Sequence, residues 1–417
     1  MLASVPGNLT LGYQMVWDSQ RRPAGVLLFA QALDGVAIDG ARLLAAVAQV
    51  WSEHAPRLIL LPQSASLLAD VLRHAPPDGP WIGVEESLCN DPAVVAQLGH
   101  AFTRGLRLVW RGAAIPPAES GIGAFFLQRV LPLGAGHALL ALRAALHPTA
   151  TDAGPRPDAA PSPVLGGQIY ESVPSRILAD HCLDQQGAWG IAGWPGEDIL
   201  HAYAGQAILP SREVIQRLVH ATDADLALDR IENILAEDPL LVYRFLRHAN
   251  SAALGLRTGI DSLRHGLMVL GLTTFRRWLL EQLPSASGDI NLRPVRTAML
   301  LRARLMAALL DAGEDDALCS EVHLCGLLSQ IDLVLGEPAA TALQRFPVAE
   351  RITSAILGHS GPYAPFLDIA AALEYPGMGS IAALCESHQI DQGHVNQALL
   401  WVLAQVRPQP LPPRSSG

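Results

Sequence analysis

The sequence predicts an α/β domain followed by an all-helical domain. Three observations carry that expectation. The first 200 residues alternate short apolar runs with helical periodicity, a pattern of βα units around a parallel sheet or barrel. From Ser211 onward the apolar spacing is helical almost throughout. The length of 417 residues suits two cores rather than one.

In the first half the candidate strands are 12–17, 26–30, 58–61, 81–84, 106–110, 124–127 and 168–170, with another near 190–194. Helical patterns at 41–51 and 92–103 separate some of them. Residues 147–166, rich in Pro, Ala, Asp and Gly, read as a long loop or disordered insertion rather than a linker, because strand-like segments continue beyond them. The expected domain boundary lies near 203–210, giving an α/β domain over 1–203, a helical domain over 204–406 and a Pro-rich, unstructured tail over 407–417 with some extended-ligand character.

In the second half Ser211 is placed to cap a helix carrying Val214, Ile215, Leu218 and Val219. A second helix carries Leu228, Ile231, Ile234 and Leu235. Asp238-Pro239 starts a third, with Asp as cap and Pro in the first turn, and Leu241, Val242, Phe245, Leu246 and Ala249 on one face. A fourth, 262–270, ends at Gly271, which supplies a left-handed C-terminal position. Longer helices are expected over 295–310, 321–335, 348–359 and 393–405.

Composition removes several functions. A net charge of −10 argues against broad nucleic-acid binding. All 29 basic residues are arginine, so no lysine base, Schiff base or P-loop lysine is available. No apolar run reaches the roughly 20 residues needed to span a bilayer. No basic residue precedes an apolar stretch at the start, so a signal peptide is not expected and the cytoplasm is the default location. Five scattered cysteines form no CxxC, and His323 and Cys325, two apart on a helix, face different directions. The acidic run 311–316 reads as a solvated loop, lacking EF-hand spacing. Arg244, Arg247, Arg276 and Arg277 read as exposed, and Trp278 as core.

Residues 236–251, with Asp238, Pro239, Asn250 and Ser251, closely resemble the signature of HDOD domains, helical modules related to HD-type phosphohydrolases. The likeness continues through 260–271, ending at Gly271, and through 302–310 and 324–336. The bottom-up reading of the signature is structural: Asp238-Pro239 opens a helix, and Asn250-Ser251 closes it through side-chain bonds to free backbone groups. HD enzymes hold metal with an adjacent His-Asp pair and further ligands from neighbouring helices. The pair's position here reads Ser329-Gln330; Asp332 has no histidine partner, and residues 300–304 lack the first histidine.

The order of domains resembles that of proteins carrying an EAL-type cyclic di-GMP phosphodiesterase domain, often decayed, before an HDOD module. The resemblance implies a degenerate TIM-like barrel, whose relatives hold two divalent metals on carboxylates at strand ends. Against that pattern, Gln14 falls where the namesake glutamate is expected, and Pro62 or Gln63 where an asparagine is expected. Glu85 or Glu86 matches one family carboxylate. Arg111 and Gly112 replace paired aspartates, Gln168 replaces a carboxylate, Ala192 replaces a glutamine, and Glu171 is retained. An arginine there puts positive charge beside the would-be cation.

The expected function is therefore non-catalytic signal transduction by two enzyme-derived domains, with no catalytic residue, metal or cofactor. The expected partner is another signalling protein, such as a histidine kinase, response regulator or cyclic-nucleotide enzyme, or a second copy of the chain. One alternative is a receptor that binds cyclic di-GMP or another nucleotide without cleaving it, with Arg107, Arg111 and Glu171 as vestigial contacts. A residual metal-dependent phosphodiesterase is a third.

Overall fold

The computed structural model describes residues 7–406 apart from 34–38, 114–115, 117–120, 147–149, 152–153, 156–160, 205, 207, 252–259, 261, 311–314 and 375–378. The chain separates into two units: Met1–Asp198 with Ala372–Gly417, and Ile199–Ala371.

Eight strands close a barrel in the first unit: β1 (Leu9–Trp17), β2 (Pro23–Ala32), β3 (Arg57–Pro62), β4 (Trp81–Glu85), β5 (Leu108–Arg111), β6 (Phe126–Pro132), β7 (Ile169–Glu171) and β8 (Gly190–Ala192). The spatial order is β1-β8-β7-β6-β5-β4-β3-β2. Neighbours are parallel except around β1, which is antiparallel to both β2 and β8. The eight apolar runs become these eight strands, and Leu27, Leu28, Ile59, Leu60 and Val109 are wholly buried. Such unbroken burial is what a sheet covered on both faces requires. Ala124 and Phe125, expected to begin a strand, close a 3-10 turn over Ile122–Phe125 instead, and β6 begins at Phe126.

Helices Gly40–Val50, Ala65–His74 and Pro92–Thr103 follow β2, β3 and β4. The side chains of Asp39, Ser64 and Asp91 cap them by accepting from backbone N–H groups of the first turn.

The division of the chain differs from the expected 1–203 and 204–406, since residues 372–406 group with the barrel. Helix Gln392–Ala404 packs on β1 and on helix Gly40–Val50. Of β1, only Val16 and Trp17 pair with β8, which leaves the earlier part of β1 without a strand on that edge. Asn396, fully buried, serves it: its amide donates to Leu9 O at 2.7 Å and accepts from Leu11 N at 3.3 Å. Unmet backbone groups thus draw the last helix to the barrel. Much of the 147–166 insertion, residues 311–314 and the tail 407–417 lie outside the described residues; Asp315 caps helix Asp316–Leu328 through Leu318 N.

The second unit is helical, and its signature residues are joints. Asp238, with no exposed surface, accepts from Leu240 N and Leu241 N at 3.0 Å and from Ser211 N at 2.5 Å, and forms an ion pair with Arg296, Nε standing 3.3 Å from Oδ2. One carboxylate therefore fixes the starts of helices Arg212–Asp223 and Pro239–Ala249 to helix Arg293–Leu309. Asn250 exchanges two hydrogen bonds with the Ile260 backbone at 2.8 Å and also donates to Leu246 O. Ser251 N donates to His248 O at 3.0 Å.

Gly271 joins helices Leu263–Leu270 and Leu272–Gln282 at φ 73°, ψ 151°. The positive φ was expected, but the residue is extended in ψ rather than left-handed helical, a conformation almost restricted to glycine. Trp278 is core, packed on Phe245, Phe275 and His248. The helix expected over 321–335 is broken: Asp316–Leu328 ends at Ser329-Gln330, and Ile331–Leu335 begins a new one. Ser329 Oγ turns back to Gly326 O at 2.8 Å, closing the first helix.

Candidate functional site

The parallel strands end together on one rim of the barrel, so residues far apart in sequence converge there. Gln63 follows β3, Glu85 ends β4, Arg111 ends β5 and Glu171 ends β7. Arg111 bridges the two carboxylates: Nη1 donates to Glu85 Oε1 at 2.5 Å and Nε to Glu171 Oε2 at 3.1 Å. Gln63 Nε2 reaches Glu85 Oε1 at 3.4 Å, and the Arg111 guanidinium lies 5.2 Å from the centre of the Phe29 ring.

The charges in this cluster shape one another. Burial works against the Arg111 charge, but Glu171 and Glu85 outweigh it and hold the group above its usual range. Burial pushes the Glu171 carboxyl up, with a smaller push from Glu85, and Arg111 only partly offsets this. Gly112 has a steric reason: a Cβ there would stand 2.4 Å from Glu86 Oε2, which accepts from Ala113 N.

Gln14 belongs to this rim. A Cβ on Gly193, directly after β8, would stand 2.6 Å from Gln14 Nε2, and neighbouring Ala192 pairs with Glu171. The expected contact Arg107 and the expected site position Gln168 do not. Arg107 precedes β5, so four residues of strand place it, exposed, at the opposite end from Arg111. Gln168 precedes β7 and accepts from Arg129 N at 3.1 Å, again away from the rim.

In the helical unit, Ser329 and Gln330 sit between two helices. With its oxygen turned to Arg302, the Gln330 amide accepts from Nη1 at 3.3 Å and Nη2 at 3.1 Å. Arg302 is nearly buried, on the helix expected to bring a first histidine. The close crossing that allows this is made by Gly326, where a Cβ would stand 2.4 Å from Ala303 Cα. Asp332 lies in the first turn of the next helix.

His323 faces elsewhere. It lines a cavity of about 350 Å³ with Glu232, Asn233, Arg264, Cys319 and Ser320. Burial, with the nearby Arg304 charge, lowers its pKa to about 4, so the imidazole is neutral near pH 7. Among the described residues no group of three or more His, Cys, Asp or Glu side chains is placed to hold a metal ion. No described helix is long and apolar enough to cross a membrane.

Besides the positions of Arg107 and Gln168, the sequence did not disclose several partners. Phe29 under Arg111, Arg296 on Asp238 and Arg302 on Gln330 were not anticipated. A signal was present for Arg296: with Met299, Ala303 and Met306 it continues one apolar helical stripe, and a buried arginine demands a carboxylate.

Comparison with known proteins identifies an HDOD domain at residues 209–339. The chain is 24% identical over 180 residues to the uncharacterized protein YuxH of Bacillus subtilis, covering 42% of this chain and 43% of that protein. It is 23% identical over 171 residues to the cyclic di-GMP phosphodiesterase CdgJ of Vibrio cholerae, covering 41% and 40%. The matches thus span about two-fifths of these relatives. Among solved structures, the MmoQ response regulator of Methylococcus capsulatus aligns at 16% identity, over 46% of this chain and 98% of that one, with a TM-score of 0.38.

Proposed function

We propose that this chain is a non-catalytic signal-transduction protein that acts by binding other proteins. Its two domains are, on this reading, a degenerate EAL-like barrel and an HDOD module, both retained without their metal chemistry. The observation that carries the reading is Arg111 bridging Glu85 and Glu171. A divalent metal needs those carboxylate oxygens free and no cation among them. Here a guanidinium already occupies those oxygens and offsets part of their charge, so the residues present do not fit a metal at the rim. In the helical unit Arg302 on Gln330 has the same consequence.

The closed barrel with carboxylates at its strand ends supports the EAL-like assignment. The likeness to CdgJ, named a cyclic di-GMP phosphodiesterase, supports a setting in cyclic di-GMP signalling. Incubating the full chain with cyclic di-GMP and magnesium or manganese, with products separated by chromatography, tests the reading. No hydrolysis above buffer is expected; metal-dependent turnover overturns it. The receptor alternative is weaker, because a phosphate at the rim must compete with two carboxylates for Arg111, and Arg107 cannot assist from the far end. Calorimetric binding of cyclic di-GMP by the intact chain would favour it instead.

A further inference from the structure

A second polar cluster of the barrel unit lies away from the Arg111 rim, where residues 161–168 lead into β7. Helix Arg176–Asp180 continues there as one π-helical turn, His181–Gln185. Ser162 Oγ stands 2.8 Å from His181 Nε2, and His181 Nδ1 stands 2.6 Å from Gln185 Oε1. Val164 N–H donates to the same Ser162 Oγ at 3.2 Å. These partners fix each proton in turn. The Gln185 carbonyl only accepts, so Nδ1 carries the ring hydrogen and Nε2 presents a lone pair. Ser162 Oγ already accepts from Val164 and therefore donates its own hydrogen to Nε2.

His181 is buried, whereas Ser162 is half-buried and within reach of a reagent. A hydroxyl that donates to a neutral imidazole, itself oriented by a third group, is the arrangement that activates a serine as nucleophile. The flanking carboxylates Asp180 and Asp184 are both bound by Arg21, so an uncharged amide orients the ring. Cys182, beside His181 in sequence, is no rival, because burial pushes its thiol up to about 12. Pro163 has no N–H. The amide that follows the nucleophile in many acyl-transfer enzymes, and steadies the oxyanion, thus has no counterpart here. This serine is built to be acylated rather than to turn over.

We propose that Ser162 is a covalent modification site that takes one acyl group from an activated ester or thioester, with His181 as general base and Gln185 as positioning residue. The Oγ–acyl bond forms as the bond from acyl carbon to leaving group breaks. The hydroxyl proton passes to Nε2 and then to the departing group. The ester formed has no hydrogen to donate, so acylation also severs the bond from Ser162 to His181. This goes beyond the metal-free reading above and does not depend on it.

Treating the full chain with p-nitrophenyl acetate, then mapping peptides by mass spectrometry, tests the site. The chain contains no lysine, so the commonest competing acyl acceptor is absent. An acetyl group is expected on Ser162 of the wild-type chain, and Ser162→Ala is expected to lose it. His181→Phe should slow labelling of Ser162 about a hundredfold. Since His181 is buried and that variant can unfold, exposed Gln185 supplies the second arm. Gln185→Met should slow labelling about tenfold, and Gln185→Glu, which keeps an acceptor for the Nδ1 hydrogen, should restore it. An unlabelled Ser162 overturns the proposal, as does labelling equally fast in all the variants. Steady nitrophenolate release that Ser162→Ala abolishes also overturns it, and makes the site an esterase.

Discussion

The two units each place an arginine on carboxylate oxygens, and the two clusters are built differently. Asp238 has no exposed surface and takes three backbone N–H groups besides Arg296. It is a joint between helix ends, and its charge is consumed by the backbone. Arg111 is about one-fifth exposed and takes two side-chain carboxylates at an open rim. Removing Asp238 would dismantle backbone geometry; removing Arg111 would leave two like charges facing each other with the barrel intact. A family signature can thus mark architecture, while the chemistry of a site is decided at less distinctive positions.

The comparison is tested most severely at Asp238. Asp238→Ala strands a buried guanidinium and three N–H groups, and should cost about 4 kcal/mol. Thermal unfolding followed by circular dichroism should show a large loss confined to the helical unit. A loss under about 1 kcal/mol would refute the joint.

Arg111→Met should cost less, about 2 kcal/mol near neutral pH, because the rim is partly solvated. The cost should also depend on pH. Burial holds the folded Glu171 carboxyl above the ordinary range. A group raised in this way stabilises the fold while protonated, and that contribution fades as pH rises through its folded value. Without Arg111, Glu85 and burial both raise it further, so the deficit should shrink as pH falls from about 8 to about 5. A deficit that grows on acidification would mean that the carboxylates are held by something other than Arg111.

Much of this was readable in advance. Eight apolar runs with intervening helical patterns announced the strands, because burial on both faces leaves an unbroken hydrophobic signature. Asp238-Pro239 and Asn250 were readable as helix ends, since their roles are local. What was not readable depends on closure. Whether Arg107 or Arg111 faces Glu171 is decided by which end of a four-residue strand reaches the rim, and no periodicity encodes that. The return of helix Gln392–Ala404 to β1 rests on Asn396, nearly four hundred residues from its partners. The break at Ser329-Gln330 was hidden because Ser329 ends its helix through its own side chain while the helical spacing of leucines continues on both sides.

A smaller effect separates local joints from the buried one. Gly271→Ala places a side chain at φ 73°, ψ 151°, and should cost about 2 kcal/mol by backbone strain alone, since a Cβ there meets nothing within 4 Å. Packing is untouched, so faster hydrogen exchange should be confined to helices Leu263–Leu270 and Leu272–Gln282. Global loosening would place Gly271 with Asp238 rather than apart from it.

The smallest expected effect is the sharpest control on the rim. Arg107 and Arg111 flank the same strand, carry the same charge and differ only in the end they occupy. Arg107 is exposed and far from Glu171, so Arg107→Met should change stability by less than about 0.5 kcal/mol, with no dependence on the Glu171 titration. The same denaturation series run on both variants isolates position from residue type. If Arg107→Met reproduced the pH-dependent deficit of Arg111→Met, net charge and not the Glu85–Arg111–Glu171 bridge would control the barrel, and the bridge would no longer stand against a metal at the rim.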